Sequence, residues 1–344
     1  MSKLTGMIKT TNKACNQQGV VLIIVLWIFI FLFAVAFNFS ASVREEAQAA
    51  HRFNEDTQGY YLAVAGFQRG LYEYLQPQPQ QQQLGERVAE KTPPGFFDGS
   101  WREENLGGGV FKVRLIDEGG KINLNRADET LLRRIFTNLD IEEPRRTILV
   151  DSILDWIDPD DLHRTNGAES DYYQSLAPAY SAKNGPFTTI EELLWVRGVT
   201  PELFFGAAAQ RTGAAGEGRR IGLAQIFTVD SPIDRVNLRT APAEVIQALM
   251  GMPQDKSRAF VEERKKLSDK TIGDLLSLLG VGGSDTAMQM FVFTNPSVVS
   301  IEAEGKQPGS TAARRVKGVV RGGGGGGRVE FVRWVDRDNA PAQN

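Results

Sequence analysis

The run VVLIIVLWIFIFLFAVAF, Val20 to Phe37, constrains this chain more than any other stretch, because no charge or strongly polar side chain interrupts it. Wound as a helix it is about 27 Å long at roughly 1.5 Å per residue, just enough to cross the hydrocarbon layer of a bilayer. Lys3, Lys9 and Lys13 precede it without an acid, whereas Arg44, Glu45 and Glu46 follow as a mixed set. The positive-inside rule therefore puts the N-terminus in the cytoplasm and the bulk of the chain outside. A cleaved secretory signal is the competing reading: AVA and SAS near the end of the run would then leave a mature N-terminus between Ala36 and Ser42. The apolar core exceeds the roughly 7 to 15 residues of a signal's hydrophobic region, which favours retention. The helical pattern also outlasts the membrane. From Ser40 to Leu75 there is no proline, and alanines and leucines recur among charges until QPQPQQQQ breaks the pattern. One helix from Val20 to Leu75 is about 84 Å long, and half of it stands beyond the bilayer. Ala47, Ala50, Ala63 and Ala65 form a small-residue face that suits close packing against partner helices, although any single one of them is explained equally well by alanine's preference for helix.

Beyond the glutamines the chain reads as α+β. Alternation and β-branched residues predict strands at Phe111 to Glu118, at Ser297 to Glu304 and in the pair ARRVKGVVR and RVEFVRWV, separated by six glycines that suit a flexible hairpin loop. The residues between the first and second strands read mostly helical, so one sheet is interrupted by a helical insertion. That insertion is internally repeated. KINLNRADETLL at Lys121 to Leu132 aligns without a gap to RVNLRTAPAEVI at Arg235 to Ile246, and TIEELLWVRGV at Thr189 to Val199 matches TIGDLLSLLGV at Thr271 to Val281. Thr188 with Glu191, or Thr189 with Glu192, has capping-box spacing, and Gly198 and Gly280 fit tight turns between helices.

The first half carries a stretch that the second lacks, DSILDWIDPDDLHRTNGAESDYYQSLAPAY. Asp155, Asp158, Asp160, Asp161, Glu169 and Asp171 crowd it, against only His163 and Arg164. Hard oxygen donors on irregular backbone suit Ca²⁺, which takes roughly 6 to 8 oxygens, although the EF-hand spacing is absent. A solvated acidic loop with Asp158 or Asp161 capping a helix explains the same residues, and the residues themselves leave both readings open. Catalysis has little to work with. The only histidines are His51 and His163, and the only cysteine, Cys15, precedes the apolar run. This disfavours histidine-based triads, zinc sites and disulfides, so no enzymatic activity is expected. A net charge of −3 gives no general attraction to nucleic acid.

Three resemblances follow from these motifs. The basic leader ending in Gly19, the apolar run directly after it and the long first helix resemble type IV pilins and the pseudopilins of type II secretion. That resemblance implies prepilin peptidase cleavage after Gly19, leaving Val20 as the mature N-terminal residue and its amine open to N-methylation. The family's usual glutamate at the fifth mature position is replaced by Ile24. The Leu-Leu-x-x-x-Gly-Val hairpins resemble the helix-hairpin-helix element of SAM-like domains, many of which grip the DNA backbone. A membrane-anchored DNA-binding module is therefore the alternative function, with Arg197 as its one basic candidate at the first turn; the second turn, GVGGSD, offers none.

Finally, DWIDPDD, then GAESDYY, then KNGPF before IEELLWVRGV resemble the K-type minor pseudopilins of type II secretion. This resemblance runs from the leader to the last strands. It implies a pilin-like fold with a long N-terminal helix and an antiparallel sheet, interrupted by two SAM-like repeats. It further implies a single-pass bacterial inner-membrane protein with a periplasmic body, at the pseudopilus tip with the I-type and J-type minor pseudopilins, the other pseudopilins and the inner-membrane platform. It also implies calcium, held by Asp158, Asp160, Asp161, Glu169 and Asp171, with Asp155 the least certain ligand and Trp156, Tyr172 and Tyr173 as an apolar lid. The corresponding layout is leader 1–19, membrane helix 20–39, periplasmic helix 40–75, linker and first strands 76–118, first repeat with the acidic insert 119–213, second repeat 214–290, closing strands 291–336 and tail 337–344.

Overall fold

The structure, a computed structural model, describes residues 17–75, 97–206, 221–265, 272–281, 289–310, 313–322 and 329–337. The leader up to residue 16, the glutamine run, the boundary at 213/214, the glycine loop and the tail beyond residue 337 lie outside the described residues.

The first helix, α1 (Gln17–Leu75), runs without a break through the apolar run and the alanine-rich segment. Gly19, Val20 and Ile24 all fall near its start. The chain divides at Thr57 into two units. In the first, every large apolar side chain from Val21 to Phe39 is exposed, Ile24 among them. This is a helix long and apolar enough to cross a membrane.

The second unit begins with the last turns of α1 and a five-stranded antiparallel sheet built from β1 (Arg102–Leu106), β2 (Gly109–Asp117), β7 (Val298–Lys306), β8 (Arg314–Gly322) and β9 (Val329–Arg337), side by side in that order. Alternation along β2 and β7 sends Phe111, Val113, Leu115, Val299, Ile301 and Ala303 to one face, where they form a core with Leu62, Ala63 and Phe67 of α1. Small residues let the helix backbone come down onto the strands. Gly59, Ala63, Gly66 and Gly70 recur at helical spacing, and a Cβ added at Gly66 would press on Phe111 and Ala303. Ala63 is thus buried against the chain's own sheet, which corrects its assignment to a partner-facing stripe; Ala47 and Ala50 remain exposed. The four longer strands lie where alternation predicts them. The pattern missed β1, REENL, whose side chains are exposed or half-buried on an edge strand with no apolar face to signal it.

Between β2 and β7 the chain builds a separate core around Leu132, Phe136, Ile153, Tyr173, Phe204 and Phe227. β3 (Ile122–Asn123) leads into α2 (Glu129–Asn138), which Asp128 caps by accepting the Leu131 N–H at 2.7 Å. Then follow α3 (Arg145–Ile157), α4 (Ser170–Gln174), a 3-10 turn at Ile190–Trp195 and α5 (Pro201–Phe205). The element α6 (Leu223–Ile226) runs into β4 (Phe227–Thr228), which pairs in parallel with β3. A second pass has the same ending. β5 (Val236–Asn237) precedes α7 (Ala243–Met250), α8 (Gln254–Lys265) and α9 (Ile272–Leu278), and β6 (Phe291–Val292) returns to pair in parallel with β5. The two aligned asparagines act alike. Asn123 accepts the Asn125 N–H and donates to the Ser231 carbonyl, while Asn237 accepts the Arg239 N–H and donates to the Thr294 carbonyl. Each one turns the entry strand and ties it to the segment that leaves the same half.

The root of the insertion is polar and buried. At the end of β2, Asp117 accepts from Asn237 Nδ2 at 2.8 Å and Thr240 Oγ1 at 2.6 Å, and the next residue, Glu118, accepts from Thr228 Oγ1 and from Ser300 Oγ on β7. Two adjacent carboxylates thereby bind both passes of the insertion to the sheet.

Candidate metal centre in the acidic loop

The last turn of α3 gathers negative charge where a helix least tolerates it. Asp151 and Asp155 stand one turn apart and are buried, and Asp158 is the residue on which the helix stops. Carbonyl groups at a helix C-terminus already carry partial negative charge, so these carboxylates need cations or donors close by. The loop that follows folds back to supply some. Arg164 donates through Nη1 to Asp155 Oδ1 at 2.6 Å and to Asp158 Oδ2 at 2.6 Å, and its backbone N–H reaches Asp155 Oδ2 at 3.1 Å. The Asn166 N–H reaches Asp151 Oδ2 at 3.2 Å. Gly167 then passes so close to Asp155 that any Cβ would overlap its carboxylate. The expected outcome for Gly167→Ala is a loss of about 1–3 kcal/mol in urea melts, because either Asp155 or the loop must move.

Glu169 closes the loop. It stands at the first turn of α4 without capping it, it is 1% exposed, and both its carboxylate oxygens are buried without a hydrogen-bond partner. Burial, and after it the charges of Asp155, Asp158, Asp161 and Asp160, push its carboxyl up to about 7. Asp158 Oδ1 is likewise buried and unpartnered. The other carboxylates of the predicted ligand set are more exposed. Asp160 accepts the Leu162 N–H at 2.9 Å, Asp161 accepts from Asn184 Nδ2 at 2.9 Å, and Asp171 accepts the Tyr172 N–H at 2.7 Å. Asp155, Asp158 and Glu169 are thus brought into one neighbourhood with Asp160 and Asp161 at its mouth, and Asp171 lies on the exposed start of α4. Among the described residues no group of three or more acidic, histidine or cysteine side chains is arranged so that it already holds a metal ion.

Orphaned hard oxygens, all carboxylate, fit a cation such as Ca²⁺ and suit a softer metal poorly. The aromatic residues beside the loop are core rather than lid: Trp156 meets Tyr173 edge-on at 5.3 Å and stacks on Phe187 at 6.3 Å, with Trp156, Tyr173 and Phe187 all buried.

One residue that holds this site has a different role in the sequence reading. Arg197, the candidate DNA contact, donates through Nη1 to the Gly167 carbonyl at 2.9 Å and lies over the Tyr172 ring at 4.7 Å. Its guanidinium thus ties down the backbone of the acidic loop, thirty residues away. Gly198 takes the positive φ of 86° that its place in the turn requires. Of the two proposed capping boxes, Glu192 is the one that bonds back, accepting the Thr188 and Thr189 N–H groups at 3.0 and 3.1 Å. Asp151 was also overlooked, although its spacing of four from Asp155 puts both on one face of a helix.

Residues 111–206 match the family model described as Type II secretion system (T2SS), protein K. Type II secretion system protein K of Pseudomonas aeruginosa is 26% identical over 213 residues, covering 59% of this chain and 56% of that protein. Its counterpart from Pectobacterium carotovorum subsp. carotovorum is 27% identical over 142 residues, covering 36% and 43%, and that of Aeromonas hydrophila is 37% identical over 73 residues, covering 21% and 22%. The chain spans about half the length, or less, of these curated relatives. In fold it is similar to a chain of the crystal structure of the GspK-GspI-GspJ complex from the enterotoxigenic Escherichia coli type 2 secretion system. The TM-score is 0.60 at 15% identity, over 85% of this chain and 100% of that one.

Proposed function

We propose that this chain, which is similar to protein K of type II secretion systems, is the minor pseudopilin that starts and caps the pseudopilus tip. Its partners in this reading are the I-type and J-type minor pseudopilins, a grouping named for the E. coli complex. The other pseudopilins and the inner-membrane platform complete the assembly. The observation that carries the proposal is the interrupted body: residues 118–297 stand between two neighbouring strands of one sheet onto which the end of α1 is packed. A body of that bulk hinders stacking of identical subunits along a thin filament and has room only at an end.

The apolar helix supports the remainder. Prepilin peptidase cuts after Gly19, Val20 becomes the first residue, and the single span holds the body on the periplasmic side of the inner membrane. An unpaired charge inside a bilayer costs at least a few kcal/mol, so in related filaments a fifth-position glutamate is drawn to a neighbour's amine. Ile24 has no carboxylate, so this subunit offers its own amine to the next glutamate and needs none above it. The acidic loop fits a structural Ca²⁺ held by Glu169 and Asp158 with Asp155, Asp160 and Asp161 around them and Asp171 at the rim. When bound, the ion neutralises carboxylates that would otherwise repel. The role is assembly, without catalysis.

The test is Ile24→Glu in a secreting strain carrying a labelled chain. Wild type is expected as one label per pseudopilus end in immuno-electron microscopy and the variant as label along the shaft, while N-terminal sequencing finds Val20 first. Unchanged tip placement of the variant would sink the argument from Ile24.

A further inference from the structure

At the end of α3, Asp155 and Asp158 share one cation, and Glu169, across the loop, lies close enough to feel the charge of both. One guanidinium serves the first two, and it does so with a single nitrogen, since Arg164 Nη1 is 2.6 Å from an oxygen of each. A bridging cation belongs in the same place. The unpartnered oxygens of Glu169 and Asp158 Oδ1, with the charges of Asp155, Asp160 and Asp161 close by, are where one guanidinium leaves the cluster short of positive charge.

The two aspartates are not held alike. Asp155 also accepts the Arg164 backbone N–H at 3.1 Å, a bond that survives any change of side chain. The ion pair of Asp158 with this loop rests on the guanidinium. Arg164 is only partly buried and its stem is flexible, so it can swing outward, whereas Asp155 has no room to move beside Gly167.

We propose that Arg164 is a built-in counter-ion: it holds the acidic loop folded while no divalent cation is bound, gives up Asp158 when one arrives, and so sets the calcium affinity of the site. This rests on the cation reading of the loop. The opposite role, a scaffold that pre-positions Asp158 as a ligand, predicts an effect of opposite sign on binding.

The experiment uses the full chain in detergent, titrated with Ca²⁺ by calorimetry and melted in EDTA and in saturating Ca²⁺. Arg164→Gln is expected to bind Ca²⁺ about tenfold tighter than wild type, to melt several degrees lower in EDTA and to converge with wild type in saturating Ca²⁺. Arg164→Lys, which keeps the charge on a shorter stem without the planar guanidinium, is expected between the two and carries the comparison if the glutamine variant does not fold. Wild type binding Ca²⁺ with both variants binding equally or more weakly overturns the counter-ion role and leaves the cation reading standing. No binding to any of the three proteins overturns both.

Discussion

Glu169→Gln is expected to raise the melting temperature of the calcium-free protein by several degrees and to abolish the further rise that Ca²⁺ produces in wild type. Glu169 buries two acceptor oxygens with nothing to donate to them, among four other carboxylates. Its carboxyl is raised to about 7 from 4.5, so the fold prefers the protonated form. The sign follows from linkage: this preference supports the fold fully below about pH 4.5 and is lost as pH rises through about 7. At pH 8 in EDTA, wild type therefore carries a buried, unpaired charge, whose removal is worth about 2 kcal/mol. On a body of this size that is roughly 4–8 °C. Differential scanning calorimetry at pH 5 and pH 8 checks it: the gap between variant and wild type widens with pH in EDTA, and in saturating Ca²⁺ wild type overtakes the variant. A Glu169→Gln protein that melts lower than wild type in EDTA at pH 8 would mean that the carboxylate is satisfied and the loop has no need of a cation.

The other large effect is expected at Gly305 on β7. A Cβ there would overlap the Gly59 carbonyl oxygen and the Ala63 nitrogen of α1, and would also press on Leu62. Backbone cannot yield as a flexible side chain does. Gly305→Val should cost about 3 kcal/mol or more, the upper range for overpacking, seen as a lower urea midpoint with a cooperative transition. Functionally it should lift the end of α1 from Phe111, Ile301 and Ala303, so that the assembly helix no longer carries the body into a filament. A change below about 0.5 kcal/mol would show that the helix is not seated against β7 at this point.

The parts of the molecule written in short-range pattern were legible. Period-two alternation marked β2, β7, β8 and β9, and the ungapped Asn-Leu repeat marked two entry segments whose asparagines prove to make equivalent turns. The edge strand β1 escaped because an edge with no buried face has no apolar alternation. In the second of the matched hairpins α9 forms an α-helix, whereas in the first Ile190–Trp195 is a 3-10 turn.

What the sequence by itself determined is the membrane-length helix, the individual long strands and the crowding of acids after α3, because each depends on neighbours within a few residues of one another. Only the tertiary structure decided which carboxylates are in need. Glu169 loses its solvent through the packing of the loop on α3, the cation that answers the cluster comes from Arg164 across a loop, and Arg197 ties the loop's backbone from thirty residues away. Burial and distant pairing set the energy of a charge, and neither is written in the spacing of the residues that carry it.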